Sequence, residues 1–211
     1  MSVFLRLRNL SIEHLWVYAV IGSCFGYLCA LPVEQYDFWN YLKLGADWFQ
    51  THRLVTQDLY TFTVAGKQML NLHWGAGPVY YLIFRAGGLP LLVLLHALLL
   101  TAAFLLLLDL ARRTSGSLRI AAGTTFLAFL VSATNFALRP QGFSIFFFAL
   151  PLHLLRMKRL WLIPMVMLLW QNLHGAFVLG AVLVGSEWLG SLVPLQRSVG
   201  GEHCDSSKPS P

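Results

Sequence analysis

The chain has 211 residues, of which 57% are hydrophobic and 11% are charged, and its formal net charge is +6. Typical soluble domains carry about 25% charged residues, so this composition argues against a soluble protein. The basic residues stand in short clusters between apolar stretches and form no continuous basic face. This distribution is typical of membrane topology signals and argues against nucleic-acid binding. The sequence therefore predicts an integral membrane protein.

The first apolar segment runs from about His14 to Val33 and follows a basic start over residues 1–13. It is long enough to cross a bilayer, which takes about 20 helical residues. A secretory signal peptide begins in a similar way, but more hydrophobic segments follow, which favours an uncleaved first span. Both interpretations place residue 34 onward outside the cytoplasm.

Residues 34–90 are predicted to form a large first extracytoplasmic loop. Within it, residues 37–51 place apolar and aromatic side chains at helical spacing, which predicts an amphipathic helix lying flat at the membrane surface. The stretch 60–66 alternates in polarity and indicates a short hairpin that turns at Ala65–Gly66. Residues 77–86 are too short to span a bilayer and are predicted to form a second interfacial helix.

Five further apolar stretches follow the break "GGLP" at 87–90, namely residues 91–110, 118–136, 143–155, 161–173 and 177–195. With the first span they predict an all-α polytopic fold of about six transmembrane helices, in a membrane domain that covers residues 14–199. The stretches 143–155 and 161–173 are short for full spans. Either they are predicted to include flanking residues in the span, or one of them is partly re-entrant. The polar, Gly/Ser/Pro-rich tail 200–211 is predicted to be disordered.

The basic clusters predict the orientation of these spans. A cytoplasmic N-terminus places all of the clusters on the cytoplasmic side, as the positive-inside bias requires. The clusters are Arg112 with Arg113, the residues Arg156, Lys158 and Arg159, and Arg197. The same arrangement places 34–90, 135–142 and 171–175 outside.

Three stretches carry a resemblance to a known family: "DFWNYLKLGADWFQTHRLVTQDLYTFTVAGKQMLNLHW" (37–74), "LRPQGFS" (138–144) and "LLWQNLHGAFVLG" (168–180). There the chain resembles the N-terminal portion of polytopic glycosyltransferases of the C-type fold, a group with bacterial dolichyl-phosphate-mannose-type protein mannosyltransferases and aminoarabinose transferases. The resemblance implies sugar transfer from a polyprenyl-phosphate or polyprenyl-pyrophosphate carrier to an acceptor, at the outer face of the bacterial inner membrane. The partners it implies are the lipid-linked donor and membrane lipids.

In this family a carboxylate in the first outer loop acts as general base or helps to hold a divalent metal, and Asp37 occupies that position. An acceptor hydroxyl loses its proton as the anomeric carbon is attacked, and a positioned carboxylate can take it. The alternative is that Asp37 only caps the helix 38–51. Many relatives have two adjacent acids here, whereas Phe38 follows Asp37. Whether a divalent metal binds here is therefore left open, and Glu34 is the acid that could act as substitute ligand.

Four further residues are candidates for binding substrate or phosphate: Asp58, Arg139, Asn172 and His174. Arg139 breaks the positive-inside pattern, and its planar donors suit a phosphate; snorkelling to lipid headgroups is the alternative. For Asp58 we favour a turn residue before a strand. Asn172 and His174 either line an acceptor pocket or hydrogen-bond between helices, and we favour the latter.

Two other polar residues are given structural roles. Asp47 is predicted to be a solvated residue on the interfacial helix, and His96 is predicted to form an interhelical hydrogen bond within a Leu-rich span. A transporter or channel and a non-catalytic scaffold subunit stay open as other function classes. The scarcity of ionisable groups inside the predicted spans disfavours transport, because an ion path needs them.

The number of predicted spans bears on activity. Relatives usually contain more spans, which complete the carrier site. Three interpretations stay open: a truncated product that is inactive alone, a naturally short homologue, or half of a site that a partner subunit completes. The sequence does not specify the sugar, the acceptor or the oligomeric state.

Overall fold

The computed structural model of the chain describes residues 12–33, 36–58, 60, 62–63, 65–68 and 74–192. The predicted cytoplasmic start, Glu34 and the predicted tail 200–211 lie outside the described residues, apart from residues 12–13. The described part is helical and contains no strand, which confirms the predicted all-α class. The helices are α1 (Ile12–Ala30), α2 (Tyr36–Thr51), α3 (Ala76–Ser115), α4 (Leu118–Ser132), α5 (Gln141–Arg156), α6 (Ile163–Leu173) and α7 (Phe177–Leu192).

Three segments are long and apolar enough to cross a membrane: α1, α3, and α4 extended by a short 3-10 turn to Asn135. Helix α7, and α6 with the turn Leu160–Leu162 before it, are apolar but shorter. Large apolar side chains stand exposed on α1, α4, α6 and α7, and extensive exposed apolar surface marks a membrane or partner interface. These features support a membrane protein. The larger number of about six spans stays a prediction.

Helix α3 is bent where the sequence predicted a break. Gly88 has φ 64° and ψ −160°, a backbone conformation that is essentially restricted to glycine, and Pro90 follows it. The bend divides α3 into a first arm, 76–86, and a second arm, 89–115. The predicted second interfacial helix, 77–86, is this first arm, and it continues into the long apolar arm.

The segment between α2 and α3 contains a single antiparallel bridge, between Gln57 and Gln68, among its described residues. The turn at residues 65–66 lies where it was predicted, and among the described residues of this segment strand pairing is limited to the one bridge. The reason is local: the Asp58 carboxylate accepts the backbone N–H of Tyr60 at 2.9 Å. Such a side-chain contact takes the donor that a strand ladder would need.

Aromatic side chains fill the centre of the bundle. Phe104 of α3, Phe129 of α4 and Phe136 pack together, with ring centroids 4.9–5.7 Å apart. Buried His96 lies with Nε2 3.1 Å from the carbonyl oxygen of Phe136. This contact joins α3 to the segment after α4, so His96 has a hydrogen-bond partner on a neighbouring segment as predicted, but the acceptor lies just outside a helix.

Contacts between polar side chains bring the ends of α1, α3, α4 and α5 that carry the basic residues close together. Glu13 of α1 lies 3.8 Å from Arg119 of α4, and Asp109 of α3 lies 2.6 Å from Arg113 and 3.6 Å from His153 of α5. We call this the basic end, defined by Arg112, Arg113, Arg119, Arg156, Lys158 and Arg159. We call the opposite end the polar end, defined by Asp37, Arg139, Asn172 and His174. The membrane side that each end faces stays a prediction.

Candidate functional site

The amphipathic helix α2 packs on the bundle at the polar end. Its apolar residues Phe38 and Leu42 are buried against Tyr80 of the first arm of α3, Leu92 of the second arm, and Leu138. The helix begins and ends close to the predicted 37–51, but its apolar face contacts α3, where the sequence predicted contact with the membrane surface. Burial of this face fixes the direction in which the first turn of α2 points.

The crossing of α2 and α3 depends on two glycines. A Cβ on Gly45 would clash with the carbonyl oxygen of Gly77, and one on Gly77 would lie 3.0 Å from the carbonyl oxygen of Tyr41. Carbon atoms do not approach backbone oxygens this closely, so any side chain at Gly45 would push the two backbones apart. Close approach of backbones through small residues is the usual packing of membrane helices.

Asp37 and Arg139, which the sequence singled out separately, form one ion pair. Asp37 lies in the first turn of α2, and its Oδ2 is 2.9 Å from Nη2 of Arg139, just before α5. The Asp37 side chain is 58% exposed and that of Arg139 is 32% exposed, so solvent or a ligand can reach both. The Nε of Arg139 is buried and has no hydrogen-bond acceptor among the described residues.

Tyr41 stands one helical turn after Asp37 and faces the same pair. Burial raises the pKa of its hydroxyl above the usual 10.0, the charge of Asp37 raises it further, and the charge of Arg139 opposes both. The hydroxyl is therefore protonated at neutral pH and can donate a hydrogen bond beside the pair. Tyr41 was not predicted as a site residue, although its i+4 spacing from Asp37 was a usable signal.

A second polar group links α5 to the end of α6. The indole N–H of Trp170 donates to Oγ of Ser144 at 2.7 Å, and this oxygen lies 2.7 Å from Nδ1 of His174. The backbone N–H of Ala176 also donates to that Nδ1, at 3.3 Å. Nδ1 is thus an acceptor, and we assign the Ser144 proton to the bond with it and the imidazole proton to Nε2.

The Ser144 and His174 side chains line a mostly apolar cavity of about 340 Å³ between α3, α4, α5, α6 and α7. Cavities of this size with a few convergent polar groups are typical of small-molecule sites. Ser144 and Trp170 were not predicted as site residues from the sequence. One signal was available for Ser144, which is the one hydroxyl residue in the apolar run "GFSIFFFAL".

Asn172 and Asp58 make contacts that serve the fold. The Asn172 carbonyl oxygen accepts the backbone N–H of Gly75 at 2.9 Å, which ties the end of α6 to the start of α3. Its Nδ2 donates to the carbonyl oxygen of Leu168 at 2.7 Å. Asp58 holds the turn described above. For both residues a role in binding substrate stays a prediction.

The residues around Asp37 do not suit a divalent metal. Across the described ranges, no group of three or more His, Cys, Asp or Glu side chains is placed to hold a metal ion. The Asp37 carboxylate is instead paired with the Arg139 guanidinium, whose positive charge repels a cation. Glu34, the acid predicted as substitute ligand, lies outside the described residues.

The polar end therefore combines a carboxylate that can accept a proton, a guanidinium that can bind an anion, and a protonated tyrosine. A carboxylate can serve as a general base, and one guanidinium group can donate to two phosphate oxygens at once. No protein-family model, curated protein or solved structure matches this chain, so its function is inferred from this chemistry.

Proposed function

We propose that the chain is a membrane glycosyltransferase that moves a sugar from a polyprenyl-phosphate-type carrier to an acceptor hydroxyl. The observation that carries this proposal is the 2.9 Å pair of Asp37 and Arg139, at the end of the bundle opposite the basic clusters. The positive-inside bias assigns the basic end to the cytoplasm. The pair then lies on the extracytoplasmic side of a bacterial inner membrane, with about six spans and a cytoplasmic N-terminus.

The proposed reaction is a displacement at the anomeric carbon. The acceptor oxygen forms a bond to this carbon while the bond from the carbon to the carrier phosphate breaks. The acceptor proton passes to the Asp37 carboxylate, and the leaving phosphate keeps the bonding electron pair. A positive group beside the phosphate stabilises the charge that develops on it, and Arg139 supplies that group.

Carrier binding also prepares Asp37 for this role. Before substrate arrives, Asp37 and Arg139 neutralise each other. A phosphate offers the guanidinium two oxygens and competes for the Nη donors that Asp37 uses. Once the phosphate is bound, the Asp37 carboxylate is free to accept a hydrogen bond from the acceptor hydroxyl. The Tyr41 hydroxyl can then donate a hydrogen bond to the carboxylate or to the phosphate.

The competing interpretation is a non-catalytic scaffold in which the Asp37–Arg139 pair only fastens α2 to the start of α5. The exposure of both side chains favours the catalytic interpretation, because a partly exposed ion pair stabilises a fold by only about 0.2–1 kcal/mol. A transporter has less support. Among the described residues, α1, α4 and α7 carry one Asp, Glu, Lys or Arg residue each: Glu13 and Arg119 lie in the first turn of their helices, and Glu187 lies five residues before the end of α7.

Carrier binding tests the proposal even if further segments are needed for turnover. Purified protein in lipid nanodiscs is heated with undecaprenyl phosphate or with undecaprenol, which lacks the phosphate. A ligand at about 100 times its Kd adds about 2.7 kcal/mol to stability. We expect undecaprenyl phosphate, and not undecaprenol, to raise the melting temperature.

The control variants separate a specific phosphate site from general attraction to anionic lipid. Arg139→Ala is expected to remove the rise in melting temperature. Arg85→Ala, which changes an exposed arginine on the first arm of α3, is expected to keep it. Equal melting temperatures with both lipids, or equal losses in both variants, would contradict a carrier site at Arg139.

A further inference from the structure

A cleft of about 640 Å³, lined by both charged and apolar side chains, lies beside the C-terminal half of α2, apart from the Asp37–Arg139 pair. Its volume is within the range of about 300–1,000 Å³ that is typical of small-molecule sites. Lys43, Asp47 and Thr51 are spaced four residues apart, so they share one face of α2. The opposite wall comes from the segment after α2 and includes Arg53, Gln57 and Tyr60.

Asp47 is the distinctive residue of this cleft. Its Oδ1 accepts a bond from the Lys43 ammonium at 2.7 Å, and its side chain is only 14% exposed. Its Oδ2 is buried and has no hydrogen-bond partner among the described residues. The prediction that Asp47 is simply solvated is therefore wrong, because the segment after α2 folds back over this helix face.

A buried carboxylate oxygen without a donor destabilises a folded protein. A donor from outside the chain, on a water molecule or a ligand in the cleft, would offset this cost. Asp47 lines the cleft, so a small rotation of its carboxylate presents Oδ2 to a ligand there. The ligand that fits must carry a hydroxyl or amino group that donates to this oxygen.

The other lining residues narrow the ligand class. The Lys43 ammonium lies 5.8 Å from the centroid of the Tyr60 ring. This contact holds the ring at the cleft, where Tyr60 is 40% exposed. Arg53 is also exposed. Two cations, Lys43 and Arg53, against one anion, Asp47, leave an excess of one positive charge. The cleft therefore favours a ligand with hydroxyl donors, an apolar ring face and a negative group.

We propose that this cleft binds an anionic glycan. A sugar hydroxyl donates to Oδ2 of Asp47, the apolar face of the sugar ring lies against Tyr60, and the anionic substituent pairs with Arg53. Ten residues of helix separate Asp37 from Asp47, about 15 Å at 1.5 Å per residue. In the proposed transferase the cleft would hold a remote part of the acceptor, but glycan binding itself does not depend on transfer.

A matched pair of disaccharides tests the proposal. Wild-type protein in nanodiscs is titrated with cellobiouronic acid and with neutral cellobiose, and a printed array of acidic and neutral oligosaccharides extends the search. We expect acidic glycans to bind at least about tenfold more tightly than their neutral counterparts, as one charge-assisted bond predicts. Asp47→Leu is expected to abolish binding while keeping or raising the melting temperature, because it removes the unpaired buried oxygen.

Two arginines provide the matched control. Arg53→Ala is expected to remove the preference for acidic glycans, whereas Arg85→Ala, outside the cleft, is expected to keep it. Absence of any acidic glycan that binds, or binding that survives Asp47→Leu, would overturn the proposal. If the wild-type protein binds acidic glycans but shows no transfer activity, the cleft proposal stands and only the transferase proposal fails.

Discussion

Replacing Asp37 with asparagine is expected to lower sugar transfer by about 10²–10⁴-fold, the range that a general base contributes. Asparagine keeps the size of the side chain and can still accept a bond from Arg139, but it cannot take a proton. The stability change is expected to stay within about 1 kcal/mol, since the pair is partly exposed. The measurement is the rate of undecaprenyl phosphate release from sugar-loaded carrier in membranes that contain the protein.

The basic end offers a matched control for this variant. Asp109 forms a similar pair with Arg113, at 2.6 Å, and its side chain is 34% exposed. Asp109→Asn is expected to leave transfer unchanged, and both variants are expected to insert into the membrane normally. Unchanged transfer in Asp37→Asn, or an equal loss in Asp109→Asn, would remove Asp37 from the mechanism.

Gly45→Ala is expected to destabilise the protein by about 1–3 kcal/mol, the usual effect of an overpacked contact. The new Cβ would clash with the carbonyl oxygen of Gly77, so α2 must move away from α3. Because α2 carries Asp37, transfer should fall as well. Thermal unfolding in detergent and the transfer assay measure the two effects.

The direction of the stability change in Gly45→Ala distinguishes a close helix crossing from an ordinary helix position. Gly-to-Ala changes in an ordinary helix stabilise it by about 0.5–1 kcal/mol. Gly26→Ala on α1 provides that reference, because a Cβ there meets nothing within 4 Å. If Gly45→Ala were as stable as Gly26→Ala, the close crossing of α2 and α3 would be wrong.

Helix positions could be predicted from the sequence, because each depends on a local apolar pattern. The predicted stretch 37–51 became α2 at Tyr36–Thr51, and 143–155 became α5 at Gln141–Arg156. The depth of each helix in a membrane could not be predicted in the same way. Helix α6 has only 11 residues, so neither its composition nor its length decides whether it spans.

The candidate site could be predicted only residue by residue. Asp37 and Arg139 were both recognisable because each one departs from the pattern around it: an acid directly after a span, and an arginine away from the basic clusters. Their pairing depends on how α2 packs against α3, which rests on Gly45 and Gly77. These glycines gave no signal before the helices were brought together. The burial of Asp47 likewise depends on a contact between distant segments.

The most direct test of the central claim is transfer by a charge-exchanged variant, with Asp37→Arg and Arg139→Asp combined in one protein. The double variant keeps an ion pair between positions 37 and 139, so its melting temperature should be close to that of the wild type. The carboxylate and guanidinium would then stand on the wrong sides of the reacting carbon, and a displacement of about 1 Å can already lower a rate 10²-fold. We therefore expect a stable protein without transfer activity. Recovery of transfer together with stability would show that the pair only fastens α2 to the bundle.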